Sequence, residues 1–242
     1  GFAFDLARIY WRTGDETAPR LFWEAVEDFA RRNPPNVGLQ WKCGQESSLR
    51  AMAFTFATHA MADSAHTTPA RQALMARLMA VTARRVRAHL GYALSQRNNH
   101  GVSEAMGLFT IGLLWPELRG ADRWRATGRR WLERLSRQLI YDDGGFSQNS
   151  ANYQRVMLHD YLWAMCIADG CGEPLSDELR RRVIASGRML EAMQDRRSGR
   201  VPRFGHDDGS RVLPLTGCEY DDYRPTTQAR SEEHTSELQS LL

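Results

Sequence analysis

Three polar clusters interrupt an otherwise apolar, helix-patterned sequence, and each holds residue types able to bind an anion or move a proton. The first is Trp41-Lys42-Cys43-Gly44-Gln45-Glu46-Ser47-Ser48-Leu49-Arg50. Glu46 and Arg50 stand four apart on one helical face there, which suits either ligand contact or an i,i+4 ion pair at a helix start. The second, Asn98-Asn99-His100, offers amide donors and an imidazole, but the same residues serve turns and helix N-caps. The third, Gln148-Asn149-Ser150-Ala151-Asn152-Tyr153-Gln154-Arg155, centres on a phenol suited to acid–base work. Tyr153 also lies one turn before Met157 on an apolar stripe, as a core aromatic would. The pairs Asp142/Asp143 and Asp207/Asp208 invite a glycosidase with two carboxylates, although adjacent aspartates beside glycine are ordinary loop residues. His206 with Asp207 and Asp208 supplies hard ligands, yet no second cluster has zinc or calcium spacing, so no metal site is expected.

Such clusters need elements to bring them together, and the dominant pattern is apolar residues three and four apart with arginines opposite. Leu21, Phe22, Ala25, Val26 and Phe29 form one stripe, starting beside Thr17 and Pro19 and stopping at Asn33-Pro34-Pro35. Further stripes run through Leu49–Ala60, Leu74–Leu90, Val102–Leu113, Trp124–Leu139 and Met157–Ala168, and a last helix from about Ser176 to Met193. Strand-like alternation is scarce. The expected fold class is mainly α: an incomplete (α/α) toroid, or a helical solenoid, of antiparallel hairpins over residues 1–195. The three clusters fall at the loop or helix end of three hairpins, where one cleft could collect them. Residues 196–229, rich in Gly, Pro, Asp and Tyr with a short apolar run Val212-Leu213-Pro214-Leu215, are expected as an ordered loop with irregular or strand-like pieces. Residues 230–242 match the translation of a sequencing-library adapter and are expected to be an assembly scar, foreign to the natural chain.

Composition narrows the function classes. With 242 residues, 42% of them apolar, the chain can bury a real core. A net charge of +3 set against 32 basic and 29 acidic residues is poor evidence for nucleic acid, and Arg84-Arg85-Val86-Arg87 and Arg180-Arg181-Arg182 read as solvated helix faces. Lys42 is the lone lysine among those basic residues; an anionic ligand would meet guanidinium forks. Cys43, Cys166, Cys171 and Cys218 form no CxxC pair and are expected as free thiols. No run of eighteen apolar residues occurs, so no membrane-spanning helix is expected.

Taken in order, Trp41-Lys42-Cys43-Gly44-Gln45-Glu46, Asn98-Asn99-His100, Ser150-Ala151-Asn152-Tyr153, Phe204-Gly205-His206-Asp207-Asp208-Gly209 and Asp222-Tyr223-Arg224-Pro225 resemble the heparinase II/III-like family of bacterial polysaccharide lyases. The resemblance implies an N-terminal α/α toroid followed by an antiparallel β-sandwich domain that would lie beyond residue 229, with the substrate cleft between them. It implies cleavage of a uronic-acid polysaccharide, glycosaminoglycan-like or alginate-like, by β-elimination. The C5 proton leaves from beside a carboxylate, and the C4 oxygen then departs. Donors that neutralise the carboxylate lower that barrier most. By position these would be Asn99 and His100, with Tyr153 as general base, general acid or both in turn, provided neighbouring positive charge favours its phenolate. Gln45, Glu46, Arg50, Asn98, Asn152, Arg203 and His206 would line the substrate.

The chain departs from the family in carrying Gln154 where many relatives have a histidine after the tyrosine. The resemblance also implies a further catalytic histidine, and in some members a structural metal, from the β domain. No cofactor is expected in these 242 residues, and the chain alone is expected to have little or no activity. The expected partner is an anionic uronate polysaccharide, with neither nucleic acid nor membrane. Two other readings are a non-catalytic helical module that binds anionic carbohydrate and an α/α-toroid glycoside hydrolase.

Overall fold

The computed structural model describes residues 1–214 and 216–229; the segment expected to derive from an adapter lies outside the described residues. Helices make up the described fold: α1 (Phe2–Thr13), α2 (Thr17–Arg32), a 3-10 turn (Leu39–Trp41), α3 (Gly44–Ala60), α4 (Pro69–Ser95), α5 (Asn99–Leu114), α6 (Ala121–Leu139), α7 (Ala151–Gly170), α8 (Asp177–Met193) and the short α9 (Arg224–Gln228). No strand occurs among the described residues; a single bridge pairs Ile140 with Phe146.

Helix starts follow local chemistry. Thr68, Asn98, Ser150 and Ser176 each accept a first-turn N–H at α4, α5, α7 and α8, and Pro69 opens α4 where its missing N–H costs nothing. Ser150 does double duty. Its Oγ accepts from the Tyr153 amide at 3.1 Å and donates to the His206 carbonyl at 2.6 Å, so one hydroxyl caps α7 and fastens the 204–210 loop. Ser150→Ala is therefore expected to cost about 1 kcal/mol for the cap alone and more for the loop. Urea denaturation checks it; a loss no larger than the roughly 1 kcal/mol of a cap alone would show that the loop bond contributes nothing.

Packing sorts the helices into two rows. The inner row is α3, α5 and α7. Gln45 of α3 meets Ser103 of α5, and Thr55 of α3 meets Trp115, which caps the end of α5, while Ser103 meets Asp160 and Thr110 meets Trp163 between α5 and α7. Both numbers rise together in each pairing, so these helices run parallel. The outer helix α6 runs antiparallel to α5, with Gly112 close to Ala121 and Arg125, and Gly128 close to Ala105 and Phe109. It runs parallel to α8, through Glu133–Ser176 and Arg137–Glu178. An inner parallel row backed by antiparallel outer helices is the arrangement of an (α/α) toroid.

The outer helices keep exposed polar faces, whereas the inner ones are immersed. In α5 every residue from Asn99 to Leu113 is buried except His100, and in α7 every residue from Ala151 to Ala168 is buried except Tyr153.

Two helices go beyond the sequence expectations. α1 buries Ala3, Phe4 and Ala7, with the Phe4 ring 5.0 Å from Phe56 of α3. α9 ends the irregular 196–223 stretch, which lies along α7 with Val201, Val212 and Leu213 buried and carries no strand among its described residues.

Candidate active site

The candidate catalytic residues Asn99, His100 and Tyr153 lie where the inner helices α5 and α7 begin. Asn98 caps α5 by accepting from the His100 amide at 3.0 Å, and the Asn99 amide donates to Gln148 Oε1 at 3.1 Å, just before α7. The first turn of α5 thus abuts the approach to α7. Gln45, in the first turn of α3, donates to Ser103 one turn into α5. Three parallel helix starts at one end of the inner row present the positive ends of their dipoles together, an environment that favours an anion.

Tyr153 is held by a carboxylate. Its Oη donates to Asp208 Oδ2 at 3.0 Å, and Asp208 Oδ1 also accepts from Asn152 Nδ2 at 3.1 Å. Burial pushes the phenol's pKa up, and the Asp208 hydrogen bond and the charges of Asp208 and Asp207 push it further. The condition attached to Tyr153 as a ready phenolate is therefore not met by its surroundings, which hold it as a phenol.

The loop that delivers Asp208 is tied down from below. Arg155, almost fully buried, donates to the Tyr220 and Ser210 carbonyls and to Asn152 Oδ1, and stacks on the rings of Tyr220 and Tyr223 at 4.2 and 4.4 Å. His159, one turn further, accepts the Leu213 amide at Nδ1, so its proton sits on Nε2 facing Thr226 Oγ1 at 2.8 Å. Burial, with Arg155 and Arg211 nearby, lowers its pKa to about 3 and keeps it neutral.

A sequence profile described as the heparinase II/III N-terminus matches residues 1–184. The chain belongs to the heparinase II/III family. A heparin-sulfate lyase of Bacteroides thetaiotaomicron is 31% identical over 78 residues, which are 32% of this chain and 11% of that protein. Among solved structures, the heparan sulfate lyase HepC from Pedobacter heparinus aligns over 83% of this chain and 32% of its own, at 22% identity and TM-score 0.63. Heparinase III aligns over 99% of this chain and 37% of its own, at 19% identity and TM-score 0.69. These two likenesses show a shared helical fold; the chain spans about a third of the length of the solved relatives.

Within this heparinase II/III chain the expected substrate-lining residues separate. Asn152 and Arg203 share a cavity of about 290 Å³ with Arg200, Asp207 and Tyr220. Glu46 and Arg50 line another, of about 440 Å³, between α1, α2, α3 and Ser210–Val212. No ion pair joins Glu46 to Arg50: the guanidinium donates to the Gln40 carbonyl at 2.8 Å and stacks on Phe29 and Trp41, anchoring the 3-10 turn. Gln45 is buried in its bond to Ser103, and the exposed His206 meets the site through its backbone carbonyl. Gln154 turns away altogether. Its Nε2 donates to the Gly144 and Ser186 carbonyls and to Ser186 Oγ, so this residue joins α7 to α8 and leaves the site to Tyr153.

Sequence reasoning missed two carboxyls beneath the site. Glu104, 4% exposed, packs its carboxyl against Gly44 at the start of α3, and burial, aided by Cys43 and opposed by His100 and Arg85, raises its pKa to about 8. Asp160, wholly buried, is also raised to about 8 by burial, against the bond from Ser103 at 2.5 Å. The available signal was their polarity inside runs as apolar as Val102–Leu113 and Val156–Ala168.

Both carboxyls have folded-state pKa values above their unfolded ones. The stability they permit is complete below the ordinary carboxylate range and is lost as pH rises through about 8. Each contributes a slope of at most about 1.4 kcal/mol per pH unit in that window. Glu104→Gln is expected to remove one of the two slopes, so that the variant gains on the wild type between pH 5 and pH 8 in urea denaturation. Parallel pH dependences of the two proteins would refute this.

Proposed function

We propose that the protein containing this chain is a polysaccharide lyase that cleaves a uronic-acid polysaccharide by β-elimination, with Asn99, His100 and Tyr153 as its proton-handling and charge-neutralising residues. One observation carries the reading. From Asn99 to Leu113 of α5 and from Ala151 to Ala168 of α7, the residues that are not buried are His100 and Tyr153, an imidazole and a phenol in the first turns of neighbouring parallel helices. Structural economy alone does not leave those two side chains open while burying Asn152, Gln154 and Arg155 beside them.

The chemistry follows from the placement. A uronate resists loss of its C5 proton while its carboxylate keeps full negative charge. Asn99 and His100, at the positive end of α5, are suited to accept that charge and the enolate that develops from it. Tyr153 handles the proton. The heparin-sulfate lyase of Bacteroides thetaiotaomicron supports glycosaminoglycan as the substrate class, and arginines at the cavity edge, Arg200 and Arg203, suit anionic sugar. The 242-residue chain alone is proposed to turn over little or none, because the resemblance implies a further catalytic histidine from another domain.

The test is ultraviolet absorbance of the unsaturated uronate product, followed with residues 1–229 continued to the length of the solved relatives and a panel of glycosaminoglycans and alginate. A rise with one polymer establishes elimination and names the sugar class. Salt-sensitive binding without any rise would replace the lyase by an anionic-carbohydrate binding module. New reducing ends without unsaturation would replace it by a hydrolase.

A further inference from the structure

We propose that Asp208 is the proton partner of Tyr153, a positioning residue that acts through the phenol and makes the pair a two-step relay; this rests on the lyase reading above. The contact is built. Asp208 accepts from three donors: Tyr153 Oη at 3.0 Å, Asn152 Nδ2 at 3.1 Å and the Ser210 amide at 3.1 Å. Its loop is fastened to the first turn of α7 by Ser150 Oγ to the His206 carbonyl and by the Ala151 amide to the Phe204 carbonyl at 3.2 Å. Gly205 makes the crossing possible: at φ +71° any Cβ would stand 2.1 Å from the Asn149 carbonyl oxygen. Tyr220 donates its one phenolic proton to the neighbouring Asp207, with its Oη 2.8 Å from Asn152 Oδ1, the oxygen to which Arg155 donates. That leaves Asp208 as the carboxylate bonded to Tyr153.

A phenol held by a carboxylate cannot begin the reaction as phenolate, yet it can lose its proton at the moment it gains another. As the C5–H bond breaks, its proton joins Tyr153 Oη while the phenolic proton passes to Asp208 Oδ2. The electron pair from C5 enters the uronate carboxylate, where Asn99 and His100 receive the charge, and then expels the C4 oxygen. That oxygen takes a proton from Tyr153 Oη, and Oη recovers the one lent to Asp208. Asp208 ends ionised and Tyr153 ends protonated, as they began, with no outside acid or base consumed. The charges acting on Tyr153 are those of Asp208 and Asp207; Arg155 of α7 and Arg203 act in turn on Asp207.

Two measurements test the relay. The first is ultraviolet titration of tyrosine in this chain, with Tyr153 isolated by subtracting the Tyr153→Phe curve. Asp208→Asn is expected to lower the Tyr153 midpoint by roughly one pH unit or more, since a like charge and an acceptor for the phenol proton are removed. The second uses the protein continued to the length of its relatives. There Asp208→Asn is expected to lower kcat on the order of 100-fold with KM kept and with a rate that climbs towards alkaline pH, and Asp208→Glu to restore part of the loss. An unchanged Tyr153 midpoint in a folded Asp208→Asn overturns the proposal. So does a wild-type pH profile in Asp208→Asn when Tyr153→Phe is inactive. If Tyr153→Phe is itself fully active, Tyr153 is not the proton-transfer group, and the function assigned to it fails together with the relay.

Discussion

Tyr153→Phe is expected to reduce the proposed elimination by about 10²- to 10⁴-fold, the usual contribution of a positioned acid or base, while leaving the fold nearly as stable as before. Both halves follow from the same geometry. The phenol oxygen makes one hydrogen bond, to Asp208, and the ring sits at the partly exposed position of an otherwise buried helix. Removing the hydroxyl therefore leaves no buried group without a partner, because Asp208 keeps Asn152 and the Ser210 amide. The decisive comparison is the initial rate of ultraviolet absorbance in the protein continued to the length of its relatives against a thermal melt of the same sample. A variant that melts like the wild type and retains activity within about tenfold would remove Tyr153 from the mechanism.

The elements that position the site were largely legible, because helical periodicity and capping are local. Ser150 and Ser176 cap the helices that the sequence places after them, and Asn98 begins α5 at the Asn-Asn-His cluster. What escaped was set by packing between distant segments. Tyr153 and Asp208 are 55 residues apart, and nothing in the Asp207-Asp208 pair announces that one aspartate will face a phenol and the other Tyr220. Arg50 illustrates the same limit. Four residues from Glu46 it is a natural ion-pair partner, yet the aromatic faces of Phe29 and Trp41 take its guanidinium, which is weakly hydrated and stacks well. Gln154 could be recognised as a departure from the family's histidine, but its inward direction depends on where Gly144 and Ser186 lie. The polar residues of α5 and α7 read in the sequence as stripe breaks near the helix starts. Ser103, Glu104 and Asp160, deeper in, carried equal information.

Gly128→Ala is expected to lose stability on the order of 3 kcal/mol or more and to leave little soluble protein. A Cβ at Gly128 would stand 2.4 Å from the Phe109 amide nitrogen and 2.6 Å from the Ala105 carbonyl oxygen; at Gly112 it would stand 2.3 Å from the Arg125 amide nitrogen. These are backbone atoms of the facing helix, so no rotamer change relieves the clash and α5 or α6 must move bodily. Gly128 belongs to the apolar stripe of α6 and reads in sequence as a weak helix former; its requirement is close approach. Gly91, exposed within α4 with nothing near its missing Cβ, supplies the contrast. Gly91→Ala is expected to stabilise by about 0.5–1 kcal/mol through helix propensity alone. Urea denaturation of both variants separates the two effects, and equal behaviour would show that α5 and α6 do not meet so closely. The functional consequence follows from what α5 carries. Asn99 and His100 occupy its first turn, so a helix displaced to admit one methyl moves the residues proposed to neutralise charge relative to Tyr153 on α7. A Gly128→Ala protein that folds is accordingly expected to lose lyase activity beyond its loss of folded population, since misplacement by about 1 Å can cost on the order of 100-fold in rate.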